Sequence, residues 1–303
     1  MEPRRARDFW QLFEPVHALV YFAPECVNGM KEIGLKGFWM GYFAGRAAPM
    51  GAVGPAVVDA TFYMFGPSMV HRAIPDAWGF ASADTVLEAR RANAALALRR
   101  LCRGVDDDAA ALVALIAPHV ERAGGGGRTL FSANRELGVP EDPVEGLWQL
   151  ATCLREHRFD GHVAALVTHG LSGLEATLLF ARAQGLDDEL FSANRGWSGA
   201  QWQEAIDALE ARGLLDGERP SDVGRSLREE VEAITDQLAA DLFAHASSNL
   251  DAIEAGLARV ASAITRAGAI PYPNPIGLPA PSPVPRSMTD PWRAASTGTS
   301  ASE

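Results

Sequence analysis

The stretch "LREHRFDGH" at residues 154–162 gathers two arginines, a glutamate, an aspartate and two histidines into nine positions of a chain dominated by Ala, Leu and Gly. These residue types support two kinds of chemistry. Imidazoles ligate transition metals or haem iron, with a carboxylate orienting each ring from behind. Guanidinium groups hold an acidic ligand, or close ion pairs with carboxylates. His17, in the otherwise apolar "EPVHALVYF", supplies a third imidazole. His17, His157 and His162 are therefore the candidate metal ligands, with Asp160 or Glu156 behind them. On an unbroken helix His157 and His162 would stand about 140° apart, so their meeting requires a turn at Asp160–Gly161. The spacing matches no metal signature. The competing reading is a junction between domains, where Arg155, Glu156, Arg158 and Asp160 form an ion-pair network and the histidines hydrogen-bond inside it. The residues alone leave both readings open.

A second candidate lies in "GLKGFWMGYFAGRAAPMGAVGPAVVDATFYMFGP" (34–67), where seven glycines alternate with large aromatic residues and only Lys36, Arg46 and Asp59 are charged. Small residues facing Phe38, Trp39, Tyr42 and Phe43 build either a helix-to-helix contact or the wall of a ligand pocket. Burying Arg46 without a partner would cost several kcal/mol. Asp160 or Glu156 would satisfy it within the fold, and an acidic ligand would satisfy it in a site, with Tyr42 beside it. No GxSxG, GxxxxGK[ST] or HExxH motif occurs. "GGGGR" (124–128) lacks the lysine and preceding strand of a phosphate loop and reads as a linker.

The elements that must position these residues are mostly helical, because Ala and Leu outweigh Val, Ile and Thr. "SADTVLEARRANAALALRRL" (82–101) reads as a helix capped by Ser82 or Asp84, and 106–122 as another with three aspartates at its positive end. The tetraglycine marks a boundary. Beyond it, "LFSANREL" (130–137) and "LFSANRGW" (190–197) echo each other, each followed by a turn and a Trp-bearing helix, which points to two related units. The second unit reads as helix, short turn "DGERPS", and a long helix capped by Ser221 or Asp222, the order of a winged helix-turn-helix. The segment from 271 onward carries eight prolines in 33 residues and reads as an extended or disordered tail. The expected architecture is mainly α: a helical N-terminal domain (1–123), a first helix-turn-helix-like unit (128–187), a second winged-helix-like unit with long C-terminal helices (188–268) and the tail (269–303), with minimal β-wings.

"FEPVHALVYFAPE" (13–25), "GYFAGRAAPMG" (41–51), "LREHRFDGH", "RGWSGAQW" (195–202) and "TDQLA" (235–239) together resemble an actinobacterial helix-turn-helix family. Its C-terminal part is similar to the winged helices of MarR-type regulators. The resemblance covers about residues 10–278 and implies a shape more than an activity.

A formal charge of −11 provides no broad cationic surface for nucleic acid or for an anionic membrane. Between Ser198 and Ser221 five acids (Glu204, Asp207, Glu210, Asp216, Glu218) face two bases (Arg212, Arg219), a net of −3 on the would-be reading helix and its wing. Duplex DNA would be repelled, leaving Arg195, Arg225 and Arg228 as the phosphate contacts to consider. The expected function is a winged-helix-derived small-molecule-binding or regulatory protein that does not rely on strong DNA binding. The ligand residues would be His17, Tyr42, Arg46, Arg155, Glu156, His157, Arg158, Asp160 and His162. The alternative is a histidine-dependent enzyme of secondary metabolism holding a metal or haem at the same junction. Leu227, Val231, Ile234 and Leu238 at heptad-like spacing would pair two copies into a homodimer or else cover the chain's own core. Cys26, Cys102 and Cys153 form no CxxC pair, the N-terminus lacks the apolar run of a signal peptide, and no apolar stretch of membrane length occurs. A cytoplasmic location is expected.

Overall fold

The computed structural model describes residues 1–244 and 249–280. The chain runs α1 (Pro3–Phe22), α2 (Pro24–Glu32), α3 (Gly37–Ala47), α4 (Pro55–Phe62), α5 (Pro67–His71), α6 (Ala83–Leu101), α7 (Val105–Arg122), α8 (Thr129–Glu136), α9 (Pro143–Thr168), α10 (Gly173–Gln184), α11 (Asp188–Arg195), α12 (Gly199–Ala211), β1 (Leu215–Asp216), β2 (Arg219–Pro220), α13 (Asp222–Ala240) and α14 (Leu250–Arg266). The mainly α expectation holds, and the one described sheet is the antiparallel pair β1–β2, with Leu215 opposite Pro220 and Asp216 opposite Arg219.

Local chemistry sets the helix starts. Five helices (α1, α2, α4, α5 and α9) open on proline, whose fixed φ suits the first turn and whose missing N–H is not needed there. Pro24 also ends α1, because the residue before a proline is pushed to extended backbone, as Ala23 is. Ser82 caps α6 through the Thr85 amide at 3.1 Å. Asp142 caps α9 through the amides of Val144 and Glu145 at 2.9 and 3.1 Å. Reciprocal capping boxes open α10 (Ser172 with Glu175) and α12 (Ser198 with Gln201). Ser221, rather than Asp222, caps α13.

α9 is the axis of the molecule. Buried along most of its length, it threads three clusters of buried side chains in sequence order. Trp148 belongs to the first cluster, with Phe9 and Phe13 of α1, Leu112 and Ile116 of α7, and Leu257 and Ile264 of α14. Phe159 packs against the second, with Phe43, Phe62, Met69 and Leu130. Leu166 belongs to the third, with Leu179, Trp202, Leu209 and Val231 of the winged unit.

Three expectations change, and one of two alternatives is met. The turn at Asp160–Gly161 is absent, because α9 continues through both residues; surrounded by protein on all sides, the helix has no reason to break at a single glycine. The tetraglycine does not divide the packing: α7 before it and α8 after it both lie on α9, and the first cluster mixes residues from either side of it. The apolar stripe of α13 is consumed inside the chain, with Val231 buried in the third cluster and Leu227 and Ile234 packed against it. The proline-rich segment begins in contact with the core, where Ile270 and Leu278 are buried; the Asn274 side chain ties it together, its Oδ1 accepting from the Leu278 amide at 3.0 Å and its Nδ2 donating to the Leu278 carbonyl at 2.9 Å. The remainder of the expected tail, 281–303, lies outside the described residues.

The segment 63–69 fastens the N-terminal half to the winged unit. Gly66 donates to the Arg195 carbonyl at 2.7 Å, Ser68 to the Gly196 carbonyl at 3.0 Å, and the Trp197 indole to the Met64 carbonyl at 3.2 Å. At Gly173 a Cβ would fall 1.8 Å from the Tyr63 carbonyl oxygen, so only glycine allows this approach.

Candidate functional site

The polar residues of "LREHRFDGH" tie α9 to α1, α3, α8 and α13. Glu156 receives Nε and Nη2 of Arg46 on α3, both at 2.9 Å, and Nη1 of Arg155 at 2.9 Å. Burial alone would raise the Glu156 carboxyl, but Arg155 and Arg46 outweigh it and hold the group at about 2. Arg155 also lies 3.7 Å from Glu14 of α1, whose carboxyl burial pushes up. Arg158 bridges to Asp236 at 2.7 Å and Glu232 at 3.0 Å on α13. Asp160 accepts from the Phe131 amide at 2.9 Å, filling the place of the missing local cap of α8; burial pushes its carboxyl up to about 7.

The three histidines do not converge. His17 sits between Thr152 Oγ1 at 3.0 Å and the Tyr21 hydroxyl at 2.9 Å. His157 lies edge-on against Phe131 with ring centres 4.8 Å apart, and burial, reinforced by Arg128 and Arg135, lowers it to about 3. His162 meets Thr235 Oγ1 at 2.9 Å on α13, and burial lowers it too. Among the described residues no group of three His, Cys, Asp or Glu side chains is placed to hold a metal. The physical reason is the unbroken α9, which keeps His157 and His162 on different sides. Arg46 likewise has its partner within the fold, Glu156, and needs no acidic ligand.

What the junction does enclose is a cavity of about 200 Å³ between α3, α4, α9 and the winged unit, room for roughly seven waters. Of the sequence-derived candidates, Tyr42, Arg46, Arg155 and His162 line it, while His17 and Glu156 face a neighbouring space of about 30 Å³ that shares Tyr42 and Arg46. His157, Arg158 and Asp160 line neither. The walls are apolar (Phe62, Phe65, Leu166, Phe180 and Phe191), and Pro275–Gly277 cross one side as a strap.

Two arginines that the sequence offered only as phosphate contacts line this cavity: Arg195 at the end of α11 and Arg228 on α13. Arg225 does not join them; it turns to the Pro220 carbonyl at 2.6 Å and to Asp222. No continuous positive ridge forms. The echoed sequence carried a signal for Arg195, since Arg135 lies 5.1 Å from the Phe131 ring centre and Arg195 5.7 Å from the Phe191 ring centre, the same pairing four residues apart. Meanwhile Glu204, Asp207 and Glu210 all face solvent on α12.

Two helices ahead of a capped α12, a two-stranded wing and the long α13 make the C-terminal half a winged-helix-like unit within a mainly α helix-turn-helix protein. The chain belongs to a helix-turn-helix family, whose model matches residues 6–271. No curated protein and no solved structure matches it. No single helix among the described residues is long and apolar enough to cross a membrane.

Proposed function

We propose that this helix-turn-helix protein is a small-molecule-responsive regulatory protein in which the winged unit serves as framework for the junction cavity rather than as a reader of DNA. The observation that carries this reading is the distribution of charge. The arginines a reading unit would aim at phosphate, Arg195 and Arg228, line the cavity, while the solvent face of α12 presents Glu204, Asp207 and Glu210. The turn before α12, where such a unit would approach base edges, is bonded to residues 63–69. A ligand between α3, α9, α11 and α13 would touch both halves of the chain at once, so occupancy would shift how firmly they hold together.

Two measurements on the full chain test this. Gel shifts against the protein's own upstream DNA should show no retardation at low or moderate salt; tight, salt-sensitive, sequence-selective retardation overturns the framework reading. Octanol, a neutral apolar probe, should raise the thermal unfolding midpoint, and filling the cavity with Ala176→Leu should remove that rise. No rise in the parent protein overturns the cavity reading.

A further inference from the structure

Arg195 and Arg228 differ from the other two arginines that line the cavity, Arg46 and Arg155, and from Arg158 on α9. Arg46 and Arg155 share Glu156, and Arg158 takes Glu232 and Asp236. Arg195 has no carboxylate at salt-bridge distance among the described residues. Its Nη2 donates to the Pro275 carbonyl of the strap at 2.5 Å, its Nε is buried with no hydrogen-bond partner, and its guanidinium carbon lies 4.7 Å from the Phe65 ring centre. Burial, and then the nearby charges of Arg46 and Arg155, make its own charge costly to hold. Arg228 lies 5.9 Å from the Phe180 ring centre, likewise with no salt bridge among the described residues; the wall carboxylate nearest in kind, Glu232, is already engaged by Arg158 at 3.0 Å. A guanidinium whose Nε is buried without a partner favours an anion over water or carbonyl oxygen.

We infer that the junction cavity is a binding site for a small amphipathic carboxylic acid, its carboxylate met by Arg195 and Arg228 and its apolar body lodged among Phe62, Phe65, Phe180 and Phe191 beneath the strap Pro275–Gly277. This rests on the cavity reading above and adds the chemical class of the ligand. The strap bears on the site directly: a Cβ at Gly277 would stand 3.2 Å from the Phe180 ring, and an incoming carboxylate competes with the Pro275 carbonyl for Arg195.

The test is calorimetric titration of the full chain with octanoate and with octanol, which share an apolar body and differ in charge. Octanoate is expected to bind about ten-fold more tightly, the worth of one hydrogen bond to a charged group. Arg228→Gln and Arg195→Gln should each bring octanoate down to the affinity of octanol measured on the same variant, while Arg225→Gln, on the same helix as Arg228 but outside the cavity, should keep the octanoate preference. Octanol binding with octanoate no tighter overturns the anion assignment and leaves the cavity reading standing. An octanoate preference that survives both cavity substitutions overturns it as well. Binding of neither probe overturns the cavity reading and this inference together.

Discussion

Arg46 and Glu156 meet through two parallel hydrogen bonds, both 2.9 Å long, that join α3 to α9 with both side chains almost wholly removed from solvent. The same carboxylate also receives Arg155. One acid therefore answers two cations inside the protein, and the two ends of this relationship are not equivalent. Loss of Arg46 leaves Glu156 paired. Loss of Glu156 strands Arg46 and leaves Arg155 only Glu14, at 3.7 Å.

That asymmetry predicts an order of damage. Glu156→Gln should lower unfolding free energy by about 3–5 kcal/mol, the range for breaking a buried pair from one side. Arg46→Met should cost less, even though it also removes contacts with the Phe62 and Phe159 rings at 4.5 and 4.2 Å. Chemical denaturation of both variants checks the order; a costlier Arg46→Met would show that the ring contacts outweigh the charge.

Asp160 predicts a pH dependence. Its carboxyl is raised by burial from 3.8 to about 7, so between these values the folded state holds a proton the unfolded chain has released. Its contribution to stability is then full below the unfolded value and falls as pH rises toward 7, with a slope of at most about 1.4 kcal/mol per pH unit. Asp160→Asn keeps an acceptor for the Phe131 amide and should flatten the dependence across this window. It should also leave the variant the more stable of the two at about pH 8. Denaturation midpoints at both ends of the window decide it, and identical profiles for the two proteins would refute the assignment.

Gly173 and Gly199, each the first residue of its helix, should respond in opposite directions to alanine. At Gly173 the new methyl collides with the Tyr63 carbonyl, whereas at Gly199 nothing lies within 4 Å. Gly173→Ala should cost about 1–3 kcal/mol or more by prising residues 63–69 from the winged unit. Gly199→Ala should be neutral or gain up to about 1 kcal/mol, from helix propensity and a less free unfolded chain. Thermal unfolding reports the sign, and limited proteolysis near Tyr63 would report the loosening.

Reversing charge on the outer face of α12 should create what the native helix lacks. Glu204→Lys with Asp207→Lys and Glu210→Lys should confer weak, salt-dependent, sequence-independent retardation of duplex DNA, since phosphate attraction scales with the cations presented. Retardation by the native protein as strong as by the triple variant would mean that some other surface reads DNA.

The sequence by itself determined that the chain is mainly helical and where α6 and α13 begin, because those signals are local: Ser82 and Ser221 sit at their caps, and Ala and Leu fill the bodies between. It also offered "LREHRFDGH" as a polar junction, beside the metal reading, and Glu156 as one of two partners for Arg46, since a cation in a nearly uncharged segment must find an acid. It misjudged Asp160–Gly161, where glycine beside aspartate reads as a turn; burial on every side keeps the helix going. What only the tertiary structure decided is which way the arginines face. Arg195, Arg225 and Arg228 look alike in the sequence, and their separate fates depend on α11 and α13 folding against the aromatic wall of α3 and α4 and on the strap from 275 to 277 lying over it. The strap contact joins Arg195 to a residue 80 positions further on, and no local pattern of charge or periodicity encodes it.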